Sequence, residues 1–188
     1  MKKCKISPAT LARTAALALA LTNQVLSATG HRVLPIESAE LEQLVSTGLT
    51  IATAESCTGG MIAQRLTNVS GASEVFGFGF VTYAEAAKQK LLGVDAAVIE
   101  KYNVVSGPVA AAMAFGAARE SGAELAVGIT GLAGPGGDEF GHSVGTVFIG
   151  YQDAAHSDAR EYHFSGDREA VRNQTIEAAL RLVLEHQK

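Results

Sequence analysis

From Pro35 onward the apolar positions switch repeatedly between helical and strand spacing, which predicts an α/β domain. Glu37–Ser46 places Leu41, Leu44 and Val45 on one side and stops at Gly48, so it reads as a helix. Leu49–Ala54 is a short, nearly continuous apolar run rich in β-formers, the mark of a buried strand. Thr58–Thr67 returns to helical spacing, with Ile62, Leu66 and Val69 recurring at i, i+4 and i+7. Phe78–Tyr83 reads as a strand, and Glu85–Leu92 as a helix ended by Gly93. Ser106-Gly107-Pro108 opens a longer helix, Ser106 as cap and Pro108 in the first turn, that runs to Ser121 and stops near Gly122. Glu124–Thr130 is a second buried strand. Val144–Tyr151 and Arg160–Phe164 are two more. Asp167–His186 closes the chain as a helix with Ile176, Ala179, Leu180 and Val183 as its core stripe. The expected architecture is one three-layer α/β/α domain over residues 36–188, with a mixed, mostly parallel sheet, preceded by an extension over residues 1–35. The alanine-rich stretch at 109–118 suits close packing against another helix.

Composition narrows the class. With 47% hydrophobic and 18% charged residues, the 188-residue chain can bury a full core and does not have the make-up of a disordered one. A formal charge of −4 gives no reason to expect nucleic-acid binding. The charge is uneven: Lys2, Lys3, Lys5, Arg13 and Arg32 precede the first acidic residue, Glu37. Within that basic stretch, Thr14–Thr22 is apolar and Leu26-Ser27-Ala28 is small, the outline of a secretory signal. Arg13, Asn23 and Gln24 flank the run and suit a plain amphipathic helix equally. The expected location is therefore cytoplasmic, with export as the alternative. The apolar run is too short to span a membrane, which takes about 20 residues. Cys4 and Cys57 match no zinc or redox spacing, and Cys57 reads as a small buried residue beside a serine.

Four segments carry candidate chemistry. Thr53-Ala-Glu-Ser-Cys-Thr-Gly-Gly60 lies where a buried strand gives way to a helix, the place where open α/β sheets bind ligands. Ser56 stands at the mouth, and free N–H groups of the first helical turn face an anion or developing oxyanion. The same residues equally suit a capped helix start. Thr82–Lys88 brings a lysine towards the same sheet edge. Desolvation lowers a lysine pKa, and a neutral Lys88 beside Ser56 would accept the hydroxyl proton. An exposed lysine on a helix face is the plainer alternative. Gly128–Gly137 runs from a strand into a Gly-rich turn with Thr130 at its lip. It can wrap a phosphate or carbonyl but lacks the Lys-Ser/Thr ending of a nucleotide-triphosphate loop. Finally, Arg168 and Arg172 share a face at the start of the last helix, where the macrodipole disfavours cations. A bound phosphate or carboxylate would favour them, as would ion pairs with Asp167 or Glu169.

Taken in order, these segments resemble the CinA C-terminal family over roughly residues 37–186. The resemblance rests on Ala-Glu-Ser-Cys-Thr-Gly-Gly at 54–60, Val-Thr-Tyr…Lys at 81–88, Leu-Leu-Gly-Val at 91–94 and Val-Ser-Gly-Pro-Val-Ala at 105–110. Thr-Gly-Leu-Ala-Gly-Pro at 130–135, Val-Gly-Thr-Val at 144–147 and Gly-Asp-Arg…Arg at 166–172 complete it. The resemblance implies a metal-free, cofactor-free amidohydrolase that converts nicotinamide mononucleotide to nicotinate mononucleotide and ammonia, in pyridine-nucleotide recycling. It implies Ser56 as nucleophile and Lys88 as general base, with Thr130 and Tyr83 in the catalytic set. It further implies substrate contacts from Glu55, Thr58, Gly59, Gly60, Gly131, Ala133 and Gly134, and a phosphate contact from Arg168 or Arg172. A small-molecule nucleotide is the expected partner, and dimers or larger assemblies are implied. Two departures stand out. The family usually has Asn where this chain has Glu85, a charge that would raise the Lys88 pKa. It often has Lys-Pro where this chain has His142-Ser143. The alternative reading is a nucleotide-binding or regulatory module that keeps the cavity without turnover. Chemistry of the larger N-terminal module of full-length CinA proteins is not expected here.

Overall fold

The first strand forms where the apolar run predicts it: β1 (Ile51–Glu55) is buried at all five positions. Around it, the computed structural model describes residues 38–186. The extension over residues 1–35, with its signal-like stretch, lies outside the described residues. In chain order the elements are α1 (Ser38–Ser46), β1, α2 (Met61–Thr67), β2 (Phe76–Val81), α3 (Glu85–Leu92), α4 (Ala96–Tyr102) and α5 (Gly107–Ser121). Then come β3 (Leu125–Gly131), β4 (Thr146–Gln152), β5 (Ser157–His163) and α6 (Arg168–His186). Among the described residues, no helix is long and apolar enough to cross a membrane.

The sheet order is β2-β1-β3-β4-β5. β1 pairs in parallel with β2 and β3, while β3–β4 and β4–β5 are antiparallel. The sheet is therefore mixed, with only β4 running against the others. Helices cover both faces, as a three-layer domain requires. On one face Leu44, Ile62, Leu66 and the buried stripe of α6 pack on Ile51, Ile129, Val147 and Ile149. On the other, α3, α4 and α5 pack on Ala52, Ala54 and Ala126.

The two faces are built differently. Towards α5 the sheet presents alanine and glycine. A Cβ at Gly128 would overlap the Ala110 carbonyl and the Ala114 nitrogen, and one at Gly150 would overlap Ala110 as well. Ala110, Ala114 and Ala117 are fully buried by this approach. The small residues of 109–118 thus serve contact with the chain's own sheet and, at Gly116, a close approach to the Leu92 carbonyl of α3.

Other departures have local causes. α2 begins at Met61 instead of Thr58 because Gly59 and Gly60 turn through positive φ (62° and 94°). α4 is capped by Asp95, whose carboxylate accepts from Ala97 N, but buries only Ile99, too little for a periodic signal. β5 starts three residues before Arg160 because its first positions are exposed and polar. A register shift opposite Ile51/Ala52 leaves Phe76 packed with Ile51 on one side. It leaves Phe80 on the other, stacked on Phe78.

Candidate active site

Strand register brings the first three segments together. Glu55 lies level with Val81 on β2 and Ile129 on β3. The next residues, Ser56, Thr82 and Thr130, therefore stand in a row at the carboxyl ends of three parallel strands. Backbone bonds fix the row: Ser56 N donates to the Ile129 carbonyl (3.1 Å) and Thr82 N to the Glu55 carbonyl (2.8 Å). The chain leaves β1 through α2 on one face and reaches β3 through α3–α5 on the other. That reversal opens a crevice at the end of β1.

Lys88 comes up from α3 and is 1% exposed, so the alternative of a solvated lysine does not hold. Its Nζ lies 3.0 Å from Ser56 Oγ, 2.7 Å from the Thr82 carbonyl and 3.3 Å from the Tyr83 carbonyl. Burial lowers its pKa from the ordinary lysine value, while Cys57 and Glu85 act in the opposite direction. Two carbonyls can take the two N–H bonds of a neutral amine, leaving its lone pair for the Ser56 hydroxyl proton. That is the geometry a general base needs. Beside it, Cys57 is buried. Desolvation pushes its thiol up to about 11, against its own backbone N–H and the charges of Arg172, Lys88 and Arg168.

A cavity of about 490 Å³ opens over this pair. Of the residues predicted from sequence, Ser56, Lys88, Tyr83, Thr130, Gly131, Ala133, Gly134 and Arg168 line it. Thr130, on the cavity wall, donates its hydroxyl proton to the Val104 carbonyl at 2.7 Å. Tyr83 is 64% exposed at the rim. Arg168 Nη1 donates to the Gly134 carbonyl at 2.8 Å.

Glu55, Thr58, Gly59, Gly60 and Arg172 are not among the residues that line the cavity. Strand alternation points Glu55 away from Ser56, beneath α2. There its carboxylate accepts from Gly60 N (2.9 Å), Ile62 N (3.1 Å) and Ala63 N (2.9 Å), satisfying the open end of that helix. Gly59 N donates to the Ser56 carbonyl at 3.1 Å. Arg172 Nη2 donates to the Thr58 carbonyl at 2.9 Å, so this arginine braces the turn from below. The N–H groups of Gly59 and Gly60 therefore both have acceptors within the turn. The turn leaves the N–H groups of Cys57 and Thr58 with no acceptor in another described residue.

Sequence reasoning missed Val104, Val105 and Leu132 on the cavity wall. As apolar residues between two caps or beside a strand end, they carry no chemical signal. Among the described residues, no group of three or more His, Cys, Asp or Glu side chains is placed to hold a metal ion.

Comparison with known proteins agrees with this architecture. The CinA C-terminal domain model matches residues 34–187. A second model, SPP1 phage holin, matches residues 5–55, a stretch that runs through α1 and β1 of the domain above. A CinA-like protein of Geobacter sulfurreducens is 46% identical over 145 residues, covering 77% of this chain and 35% of that protein. One of Anaeromyxobacter dehalogenans is 43% identical over 174 residues, covering 90% of this chain and 43% of its own length. The chain thus spans well under half of these relatives. Among solved structures, the competence/damage inducible protein CihA of Agrobacterium tumefaciens superposes with a TM-score of 0.76 at 35% identity, over 82% of this chain and 99% of that one. A CinA superfamily protein of Escherichia coli gives 0.75 at 33% identity, over 84% and 96%. With the family model matched across nearly the whole α/β domain and these structures superposing on it, the chain belongs to the CinA C-terminal domain family.

Proposed function

We propose that this domain is an amidohydrolase that deamidates nicotinamide mononucleotide. The observation that carries the reading is the 3.0 Å approach of Lys88 Nζ to Ser56 Oγ, both buried at the base of an open cavity. Neutral Lys88 takes the Ser56 proton as Oγ bonds to the carboxamide carbon, and the carbonyl oxygen becomes an oxyanion. The N–H of Cys57, on the cavity wall beside Ser56, stabilises that charge. The lysine ammonium then protonates the leaving nitrogen, the C–N bond breaks, and ammonia departs. Water, deprotonated by the same amine, adds to the acyl carbon. Collapse releases nicotinate mononucleotide and returns the proton to Ser56 Oγ. Arg168, on the cavity rim, takes the phosphate, while Arg172 is committed to the Thr58 carbonyl.

The test is ammonia release from nicotinamide mononucleotide. Ser56→Ala abolishes it, and Lys88→Met lowers kcat by about 10²- to 10⁴-fold, the range for a general base. Full activity in the Lys88→Met protein would end the scheme. A second reading, a nucleotide-binding module without turnover, draws on Glu85, which lines the cavity and favours the charged form of Lys88. Nucleotide binding without ammonia release would support it.

A further inference from the structure

The Gly-rich segment between β3 and β4 supplies Leu132, Ala133, Gly134 and Gly136 to the cavity wall. Ala133 anchors one end of this wall in the core, but its glycines bring no side-chain packing, so polar ties order the rest. One is the Arg168 bond to the Gly134 carbonyl. Backbone bonds tie Leu132 to Thr146 and Gly145. A further tie is Asp138, whose side chain is 14% exposed.

Asp138 Oδ1 accepts from Phe140 N (3.0 Å) and His142 N (2.9 Å), folding the segment back on itself. Asp138 Oδ2 lies 2.7 Å from His142 Nδ1 and accepts from Asn103 Nδ2 at 3.0 Å. Desolvation alone would raise this carboxyl; the bonds from His142 and Asn103 outweigh it and hold the carboxyl below its usual range. The His142 ring also meets Phe148 of β4 edge-on, with centroids 6.1 Å apart.

Asn103 belongs to a different part of the wall. It caps α4 at φ 68°, the one non-glycine positive φ among the described residues. Its carbonyl accepts from Ser106 Oγ at 2.7 Å, and Ser106 caps α5. The two residues between them, Val104 and Val105, line the cavity, and the Val104 carbonyl receives the Thr130 hydroxyl. One carboxylate therefore joins the Gly-rich wall to the Asn103–Ser106 wall, and neither side chain touches Ser56 or Lys88.

We propose that Asp138 is a positioning residue: a latch that holds the Gly-rich segment against the Asn103–Ser106 segment and so sets the width of the substrate cavity. It acts on binding and leaves the Ser56–Lys88 pair intact. Its kinetic consequence rests on the amidohydrolase reading, whereas its structural consequence does not.

Two measurements test it together. Asp138→Ala raises KM for nicotinamide mononucleotide about tenfold with kcat changed less than about threefold. In the same variant, amide hydrogen exchange speeds up about tenfold at both 132–145 and 103–106, with residues 51–67 unchanged. Asp138→Asn sets an amide against the Asn103 amide and reproduces these effects. Adding Asn103→Asp restores a donor facing an acceptor and recovers at least about half of the lost affinity. Faster exchange at 132–145 with none at 103–106 would overturn the latch, as would a fall in kcat matching the fall in kcat/KM. Should the wild-type protein release no ammonia, the amidohydrolase reading fails while the exchange measurement still decides the latch.

Discussion

A lysine amine ringed by three oxygens is held as a base only while its surroundings disfavour the ammonium. At Lys88, burial does this and Glu85 opposes it. Activity that needs the neutral amine therefore rises with pH through the Lys88 pKa, on a limb below the free-lysine value of 10.5. Removing the Glu85 charge withdraws support from the ammonium, so Glu85→Gln moves that limb to lower pH. A kcat/KM profile for the two proteins checks the direction; an upward move contradicts the assignment of the base. At Cys57 the opposite protonation state prevails. With the thiol at about 11, alkylation by iodoacetamide at pH 7 is about a hundredfold slower than for a free thiol, and unfolding in urea restores it. Ser56 and Lys88 were legible through the family resemblance, since local chemistry alone suited a capped helix start and an exposed lysine equally well. Glu55 was not: a motif string does not say which way a side chain points. Parity does, since Ser56 directly follows Glu55, the last residue of β1, and its N–H still bonds to the Ile129 carbonyl, so the two face opposite sides.

Elements with a periodic stripe were readable, and those without one were not. β1, β3 and α6 bury what their apolar spacing predicts. α4 and the start of β5 bury too little to leave a pattern. The contact of α5 with the sheet was also hidden, because glycine in a strand reads as weakness until the approaching helix is known. Its consequence is measurable. Gly128→Ala forces a methyl against backbone atoms of α5 that cannot rotate away, so it destabilises by about 3 kcal/mol or more in a urea titration. A loss below about 1 kcal/mol would mean that the helix can lift off the sheet.

At the scale of the molecule, the cavity draws on both faces of the sheet. Lys88 arrives from the α3–α5 layer and Arg168 from the α6 layer, each meeting at the strand ends. The two arginines of α6 are one turn apart and do separate work, which predicts separate phenotypes. Arg168→Ala raises KM for the nucleotide about 10- to 100-fold, the worth of a charged phosphate contact, and lowers the melting curve by no more than its one exposed bond to the Gly134 carbonyl. Arg172→Ala removes the brace on Thr58, costs about 1–3 kcal/mol of stability, and lowers kcat by loosening the turn that carries Ser56. Steady-state kinetics beside thermal melts separates the two; equal KM effects would show that both reach the phosphate. The sequence offered these arginines as equals because they share a helix face, and only the depth of the turn beneath each one tells them apart.

The carboxylate under α2 and the hydroxyl above it belong to adjacent residues, the last of β1 and the one after it, one facing down and one facing up. An insertion of a single residue within β1 would move Glu55 into the place of Ser56 at the reaction centre and Ala54 beneath α2, whereas a deletion would set the Ser56 hydroxyl where three backbone amides need an anion. The strand therefore tolerates changes of side chain far better than changes of length. Chain length here is itself part of the chemistry.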